Sequence, residues 1–298
     1  MNACEATAHA ILDTELSMTP LTDRQNRFSP LKAATLALAL LPALVIGYWF
    51  FTNQLGPLAV KAALRLVGDW TIRFLIIALA LTPLQRVLNY PKLALIRRMA
   101  GVTAFAYALA HFALYIINSK YDLGFVVSEI IARFYLTIGF VALVGLSLLA
   151  ATSFDGAVRR FGKNWKRLHQ IVYGIALLGL LHYFIQIKVD VSPATLMAGF
   201  FILLMIIRIC IARRMPLGPL VLGASTLLAG LLTAVVEFAW YGLATGVDPW
   251  RVVQANFMFS FGLRPAVMVF LVGLVPCAFV IFRNLRAKGW LNPQKQIA

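Results

Sequence analysis

The chain has 298 residues, of which 61% are hydrophobic and 13% are charged, and its formal net charge is +16 at pH 7. A mean hydropathy of +0.84 excludes an ordinary soluble domain. Lysine and arginine gather on the cytoplasmic side of membrane spans, and this explains the excess of basic residues better than nucleic acid binding does. We therefore expect a polytopic membrane protein that lies in a lipid bilayer and binds no nucleic acid.

Eight windows are long and apolar enough to cross a bilayer, whose hydrocarbon core of roughly 30 Å needs about 20 residues of helix. In chain order they cover residues 33–52, 69–87, 98–117, 133–152, 167–187, 194–212, 218–243 and 260–282. The second window is the weakest, because Arg73 and Pro83 shorten its apolar centre. The pattern predicts an all-α, polytopic transmembrane helix bundle of about eight spans.

The distribution of basic residues predicts the orientation of these spans. Most of the 27 lysine and arginine residues lie in the N-terminal tail, after the second, fourth and sixth windows, or at the C-terminus. By the positive-inside rule those segments face the cytoplasm. Residues 1–28 are polar and lack the basic-then-apolar order of a signal peptide, so we interpret them as a cytoplasmic tail. Both termini are then cytoplasmic.

The three cysteines, Cys4, Cys210 and Cys277, share no CxxC spacing. Neither a zinc site nor a redox dithiol is therefore indicated. No internal repeat is evident in the sequence.

Histidines inside the spans are the strongest functional signal. The chain has four histidines, and the segment KRLHQIVYGIALLGLLHYF (166–184) contains two of them, His169 and His182. His111 lies in the third window, fourteen residues after Arg97. Thirteen or fourteen residues of helix span about 20 Å. Since spans three and five run in the same direction, His111 is level with His182, and Arg97 is level with His169.

Two neutral imidazoles on facing helices supply both axial ligands of a heme iron. Without a CxxCH motif such a heme would be held non-covalently, as b-type. Intramembrane ionisable groups are costly and by default indicate function. The alternative for each histidine is an interhelical hydrogen bond or an interfacial position.

Arg97 and the spacing of His169 each leave more than one interpretation open. A protonated guanidinium does not readily offer iron a lone pair, so a hydrogen bond from Arg97 to a heme propionate is the conservative role. The alternatives are an ordinary positive-inside cation and a ligand of the iron itself. Thirteen residues leave a phase error of about 140° between His169 and His182 on an ideal helix. We therefore expect either an irregular first turn at His169 or a distortion near Gly174 or Gly179.

Three stretches carry a family resemblance: GDWTIRFLIIALALTPLQRVL (68–88), RRMAGVTAFAYALAHFALY (97–115) and GKNWKRLHQIVYGIALLGLLHYF (162–184). They resemble the ferric-reductase-like transmembrane domain. Within it they are most similar to the MsrQ (YedZ) family, the heme-binding membrane subunits of the bacterial periplasmic methionine sulfoxide reductase system. The resemblance covers residues 40–212 and is specific in wording and order.

The resemblance implies a six-helix heme-binding core whose iron ligands are His111, His169 and His182. Related NADPH oxidases and ferric reductases usually carry a fourth histidine at the place of Arg97, and the arginine is similar to what this family shows. The implied cofactor is heme b, one or two per chain, and the resemblance leaves FMN open as a further cofactor.

The same resemblance implies an electron-transfer subunit of the bacterial inner (cytoplasmic) membrane. Its partner would be a periplasmic, molybdopterin-containing methionine sulfoxide reductase subunit, which carries out the terminal reduction in the repair of oxidised proteins. The sequence shows no flavin and nicotinamide domain, so the electron donor would be quinol or a cytosolic flavin reductase.

These expectations divide the chain into three parts: a tail (1–28), a ferric-reductase-like heme-binding domain (29–214) and a two-helix C-terminal extension with a short cytoplasmic tail (215–298). The extension carries Glu237 inside the seventh window. We interpret this residue either as a proton-linked or quinone-contacting carboxylate, or as one bonded to hydroxyls or indoles of neighbouring helices.

Two other functions remain open at this stage. A ferric or other small-acceptor transmembrane reductase would pass its electron to a diffusible acceptor at the outer face. A heme-free transporter or membrane scaffold would use the histidines and Glu237 as polar contacts or as a proton path. The presence of heme separates this last class from the other two.

Overall fold

The computed structural model describes residues 28–187, 190–258, 260 and 262–287, and their regular structure is helical. In chain order the helices are α1 (Pro30–Phe51), α2 (Ala59–Val87), α3 (Ala94–Asn118), α4 (Leu123–Ala132), α5 (Phe134–Ala151), α6 (Asp155–Phe161), α7 (Lys163–His169), α8 (Val172–Gln186), α9 (Ser192–Ala212), α10 (Pro219–Ala244), α11 (Pro249–Ala255) and α12 (Pro265–Ala287). The predicted all-α bundle is confirmed. Most of the two predicted tails lies outside the described residues.

Seven helical segments in the described part of the chain are long and apolar enough to cross a membrane. They are α1, α3 together with the short turn that precedes it, α5, α7 continued by α8, α9, α10 and α12. The protein is therefore a multi-pass membrane protein. The last span begins at Pro265, later than residue 260, where its window begins.

The second predicted span corresponds to α2, which is not among these seven. Arg65, Asp69 and Arg73 lower its hydropathy, although its 29 residues measure about 43 Å, enough to cross the hydrocarbon core. Asp69 and Arg73 form an ion pair one helical turn apart, at 3.9 Å. Because α2 packs against α1, α3, α8 and α9, its polar residues need not face lipid.

Local sequence explains where several helices begin. The Ser29 hydroxyl accepts from the Lys32 amide at the start of α1, and Pro30 occupies the first helical position. Asp122 accepts from the Phe125 amide and caps α4 in the same way. Asp248 caps α11, in the segment that follows the seventh window.

The C-terminal helices α10 and α12 pack against each other and against α9. Side chains of both helices pack onto Gly199 of α9, where an added Cβ atom would lie 2.6 Å from Val269 Cγ2 and would also overlap Thr233. Small residues permit this kind of close helix contact in membranes. The extension is therefore packed directly on the last helix of the predicted heme-binding domain.

Candidate heme-binding site

The structure brings together His111 of α3 and His182 of α8, which we call the histidine pair. Their ring centroids are 6.4 Å apart, and the ring planes are nearly perpendicular at 84°. Both side chains are half-buried between helices. The helical rise predicts that His111 and His182 lie at the same level of the bundle, and the structure shows that they face each other.

Each ring of the histidine pair is held by a backbone carbonyl of a neighbouring helix. His111 Nδ1 lies 2.8 Å from the oxygen of Leu64 on α2, and His182 Nδ1 lies 2.7 Å from the oxygen of Tyr135 on α5. A carbonyl oxygen only accepts, so Nδ1 carries the proton and donates in both rings. The lone pair is then on Nε2, which is the arrangement found in most metal-binding histidines.

A glycine makes room for each ring. A Cβ atom added to Gly68 would lie 2.8 Å from Nδ1 and Cε1 of His111. A Cβ atom added to Gly139 would lie 2.7 Å from Nδ1 of His182. Real Cβ atoms do not approach this closely, so any larger residue at either position would displace the imidazole.

These features amount to a structural repeat that the sequence did not reveal. Both histidine–carbonyl bonds join residues 47 apart in the chain, and in both cases the glycine follows the carbonyl residue by one helical turn. In the helix pair α2–α3, a carbonyl and a glycine of α2 position His111 of α3. In the pair α5–α8, a carbonyl and a glycine of α5 position His182 of α8 in the same way. No repeat is evident in the sequence itself, because the repeated unit is a contact between helices.

The histidine pair fits a heme iron bound by two axial imidazoles. Two imidazoles that bind one metal through bonds of about 2 Å have ring centroids about 6 to 6.5 Å apart. The observed separation of 6.4 Å lies in this range. The donors are also of the correct chemistry, since each ring is fixed as the tautomer with a free Nε2.

His169 lies at the end of α7 and has different surroundings. Its ring stacks on Trp165, with centroids 3.8 Å apart, and its Nδ1 is 3.2 Å from the Trp165 carbonyl oxygen in the same helix. Its Nε2 is 3.4 Å from the Ser153 hydroxyl. Since Ser153 also donates to the Leu149 carbonyl at 2.6 Å, its contact with the imidazole is the weaker of the two.

Arg97 of α3 lies close enough to His169 for an electrostatic interaction. Its Nη1 donates to the Thr82 hydroxyl at 3.3 Å. Thr82 follows Gly68 by fourteen residues, as Ser153 follows Gly139, so the repeat continues to this level with arginine in place of one histidine. We call Arg97 and His169, with Thr82 and Ser153 beside them, the His169 site.

The spacing of thirteen residues between His169 and His182 is accommodated by an interruption of the helix. Regular helix ends at His169 and resumes at Val172. Of the two expected solutions, the irregular turn is therefore the one adopted. The interruption turns His169 into the bundle without a distortion at Gly174 or Gly179, both of which lie inside α8.

Comparisons with known proteins identify the same region. The family model "Ferric reductase like transmembrane component" matches residues 33–180. A protein of Rhodospirillum rubrum is 37% identical over 185 residues, which cover 61% of this chain and 89% of the relative. Proteins of Polaromonas naphthalenivorans (44% over 150 residues; 49% and 67% covered) and Caulobacter vibrioides (36% over 166 residues; 55% and 79% covered) are also similar.

All three relatives are named protein-methionine-sulfoxide reductase heme-binding subunit MsrQ. The chain belongs to the MsrQ family. The resemblance proposed from the sequence is thereby confirmed. No solved structure matches the chain.

The MsrQ matches leave a third or more of this chain uncovered, and the C-terminal extension contains a buried ion pair. Glu237 of α10 is fully buried and pairs with Arg264, which precedes α12. Its second oxygen, Oε2, has no hydrogen-bond partner. The expectation that hydroxyls or indoles would bind this carboxylate was wrong, because the guanidinium of Arg264, just before the next span, does so. The proton-linked or quinone-contacting role of Glu237 stays a prediction.

Sequence reasoning missed several residues of the candidate site in this member of the MsrQ family. Gly68 and Gly139 were not singled out, because a glycine in an apolar span has no distinctive pattern of its own. Their common offset from a histidine on another helix would have been the detectable signal. Arg208 of α9, described below, was also missed, because it resembled an ordinary positive-inside residue at the end of a span.

Proposed function

We propose that this protein is a b-type heme membrane subunit that passes electrons across the bilayer to a methionine sulfoxide reductase. The observation that carries this proposal is the histidine pair, with two rings 6.4 Å apart and both Nδ1 protons committed to backbone carbonyls. The names of the MsrQ relatives support heme and the reductase partner.

The residues would divide the work between two levels. His111 and His182 would bind one iron through Nε2. His169 would be the imidazole ligand of a second heme, with Arg97 donating to its acidic groups, since guanidinium is a poor metal ligand. The heme groups would supply one-electron carriers, and the chain would set their depth, their axial ligands and their exclusion from water.

The two levels suit transfer across a membrane. His169 and His182 are separated by about 20 Å of helix, within a hydrocarbon core of about 30 Å. Neither level alone would bridge the barrier. This separation favours a subunit that carries electrons over one that moves a substrate.

The surroundings of the protein form part of the same proposal. We place it in the bacterial inner membrane with both termini in the cytoplasm, because basic residues dominate the segments assigned to that side. Its partner would be a periplasmic, molybdopterin-containing subunit, where the reduction of methionine sulfoxide takes place. Quinol or a cytosolic flavin reductase would supply the electrons, and FMN is a further candidate cofactor.

The division of the chain at residue 214 also belongs to this proposal. Residues 29–214 would form the heme-binding domain, and residues 215–298 an extension of it. The extension packs on α9, and the Glu237–Arg264 ion pair joins α10 to the segment before α12.

An absorbance spectrum of the purified, full-length protein tests the proposal. We expect a sharp low-spin b-type spectrum after reduction with dithionite, and one to two hemes per chain in a pyridine extract. Oxidation of the reduced protein by a methionine sulfoxide reductase, and not by ferric chelates, would distinguish the proposed partner from a small acceptor. A protein that stays heme-free after incubation with hemin would contradict the proposal.

A further inference from the structure

Arg208 lies in the last turns of α9 beside the His169 site. Its Nη2 donates to the Leu79 carbonyl of α2 at 2.6 Å. Its guanidinium carbon lies 5.1 Å from the centroid of the Tyr173 ring, and Tyr173 follows His169 by four residues in the chain. Arg208 therefore reaches across from a third helix to the level of His169.

Arg97 and Arg208 converge on one short stretch of α2. Arg97 donates to Thr82 and Arg208 donates to Leu79, and these two residues lie three apart, on the same face of the helix. The two guanidinium groups interact electrostatically with each other, and Arg97 also interacts with His169. Two positive charges are thus held near an imidazole.

Neither guanidinium has a carboxylate partner among the described residues. Other arginines of the described residues do pair with carboxylates, as in Arg73–Asp69, Arg98–Asp155, Arg133–Glu129 and Arg264–Glu237. The Nε of Arg208 is buried and lacks any hydrogen-bond partner. Arg208 is half-buried and Arg97 is exposed. Uncompensated charge is costly where water is excluded, and two cations near each other repel.

We propose that Arg208 and Arg97 together bind an acidic group of the cofactor at the His169 site. This inference rests on the proposed function. Guanidinium groups bind carboxylates and phosphates through two parallel, charge-assisted hydrogen bonds, and the unpartnered Nε of Arg208 offers one further donor. The acidic group is a propionate of heme or the phosphate of a flavin nucleotide.

The test compares wild-type protein with Arg208→Gln and Arg208→Lys. Full-length protein from heme-depleted cells is titrated with hemin, with hemin dimethyl ester, whose propionates are blocked, and with FMN. Arg283→Gln is the matched control, because Arg283 also donates to a carbonyl of α2, that of Val87, but does so from α12. Uptake of hemin by the histidine pair reports that each variant is folded.

With a propionate as the ligand, Arg208→Gln weakens binding of hemin at the His169 site about 10-fold to 100-fold. Arg208→Lys has an intermediate effect, Arg283→Gln has none, and the dimethyl ester binds wild type and Arg208→Gln equally. With a phosphate as the ligand, the same loss appears for FMN, and hemin binding is unchanged.

Two results would overturn the assignment. Arg208→Gln could bind hemin and FMN as wild type does, or it could lose the dimethyl ester as strongly as hemin, which would mark a structural role. Absence of hemin uptake by the wild-type protein is a different outcome: it would overturn the proposed function, and this assignment with it.

Discussion

The histidine pair and the His169 site are built on the same helices, yet they are prepared for a ligand to different degrees. At the histidine pair, a carbonyl from a neighbouring helix fixes each ring and a glycine gives it room. At the His169 site, one ring is held by its own helix and the facing residue is Arg97. The first site is symmetric and preorganised, while the second depends on one imidazole and on charge.

The difference shows how one helix-pair arrangement can serve two purposes. Preorganised axial ligands bind with little loss of side-chain freedom, because their rings are already fixed. A site with one imidazole and two guanidinium groups should hold heme less tightly and respond more to the acidic groups of the cofactor. We therefore expect partial loading at the His169 site and full loading at the histidine pair.

Removal of a ligand from the histidine pair should have the largest effect. His182→Ala and His111→Ala each take away one of two axial ligands, so we expect each variant to lose one heme per chain. Pyridine extracts and reduced spectra measure this loss. His9→Ala, which changes the remaining histidine, is the control. If both variants keep their full heme content and an unchanged spectrum, the pair is not a heme site.

Loss of His169 should separate the two sites. His169→Ala removes the imidazole of the second site, so its heme should be absent while the histidine pair stays loaded. A redox titration would then show a single component in place of two. Equal loss of both components would mean that His169 supports the whole bundle and is not specific to one site.

The glycines should matter only at the histidine pair. In Gly139→Ala and Gly68→Ala the new methyl group overlaps the imidazole, and such overpacking typically costs about 1–3 kcal/mol. We expect heme at this site to bind about 10-fold to 100-fold more weakly, as measured by titration with hemin. Gly174→Ala and Gly101→Ala are matched controls on the ligand-bearing helices, because an added Cβ meets nothing within 4 Å at either position.

The smallest effect is expected for Arg97. Arg97 is exposed, so its loss should cost about 1.5 kcal/mol, the low end for hydrogen bonds to charged groups. Because Arg97→Ala removes no imidazole ligand, heme at the His169 site should bind about 10-fold more weakly. Arg98→Ala is the control, because Arg98 belongs to an exposed ion pair with Asp155, and such pairs contribute little. Heme content after gel filtration would measure the effect in both variants. A complete loss of heme from the histidine pair and from the His169 site would instead indicate misfolding.

The sequence predicted much of the fold because hydropathy and helix geometry act locally. Seven of the eight windows correspond to helices apolar enough to span a membrane. The remaining one, the second window, corresponds to α2. The pairing of His111 with His182 also followed from a fixed rise per residue. The short helices α4, α6 and α11 were not predicted, because seven to ten residues between spans carry little periodic signal.

Sequence reasoning failed where two distant segments meet. Leu64 is 47 residues from His111, and Leu79 is 129 residues from Arg208. Glu237 was expected to bond hydroxyls or indoles, because its sequence neighbours do not reveal an arginine twenty-seven residues away. Hydropathy cannot select these partners, since lipid is as apolar as leucine and helix association in membranes depends on local packing and polar contacts.

The sequence by itself determined the membrane bundle, the matching levels of His111 and His182 and the family, because each depends on the order and hydropathy of residues along single helices. Only the tertiary structure decided which backbone carbonyl fixes each ring, where a glycine makes room for it, and how Arg208 joins Arg97. These features depend on the packing of helices against one another, and a single helix contains no information about the face that its neighbour presents.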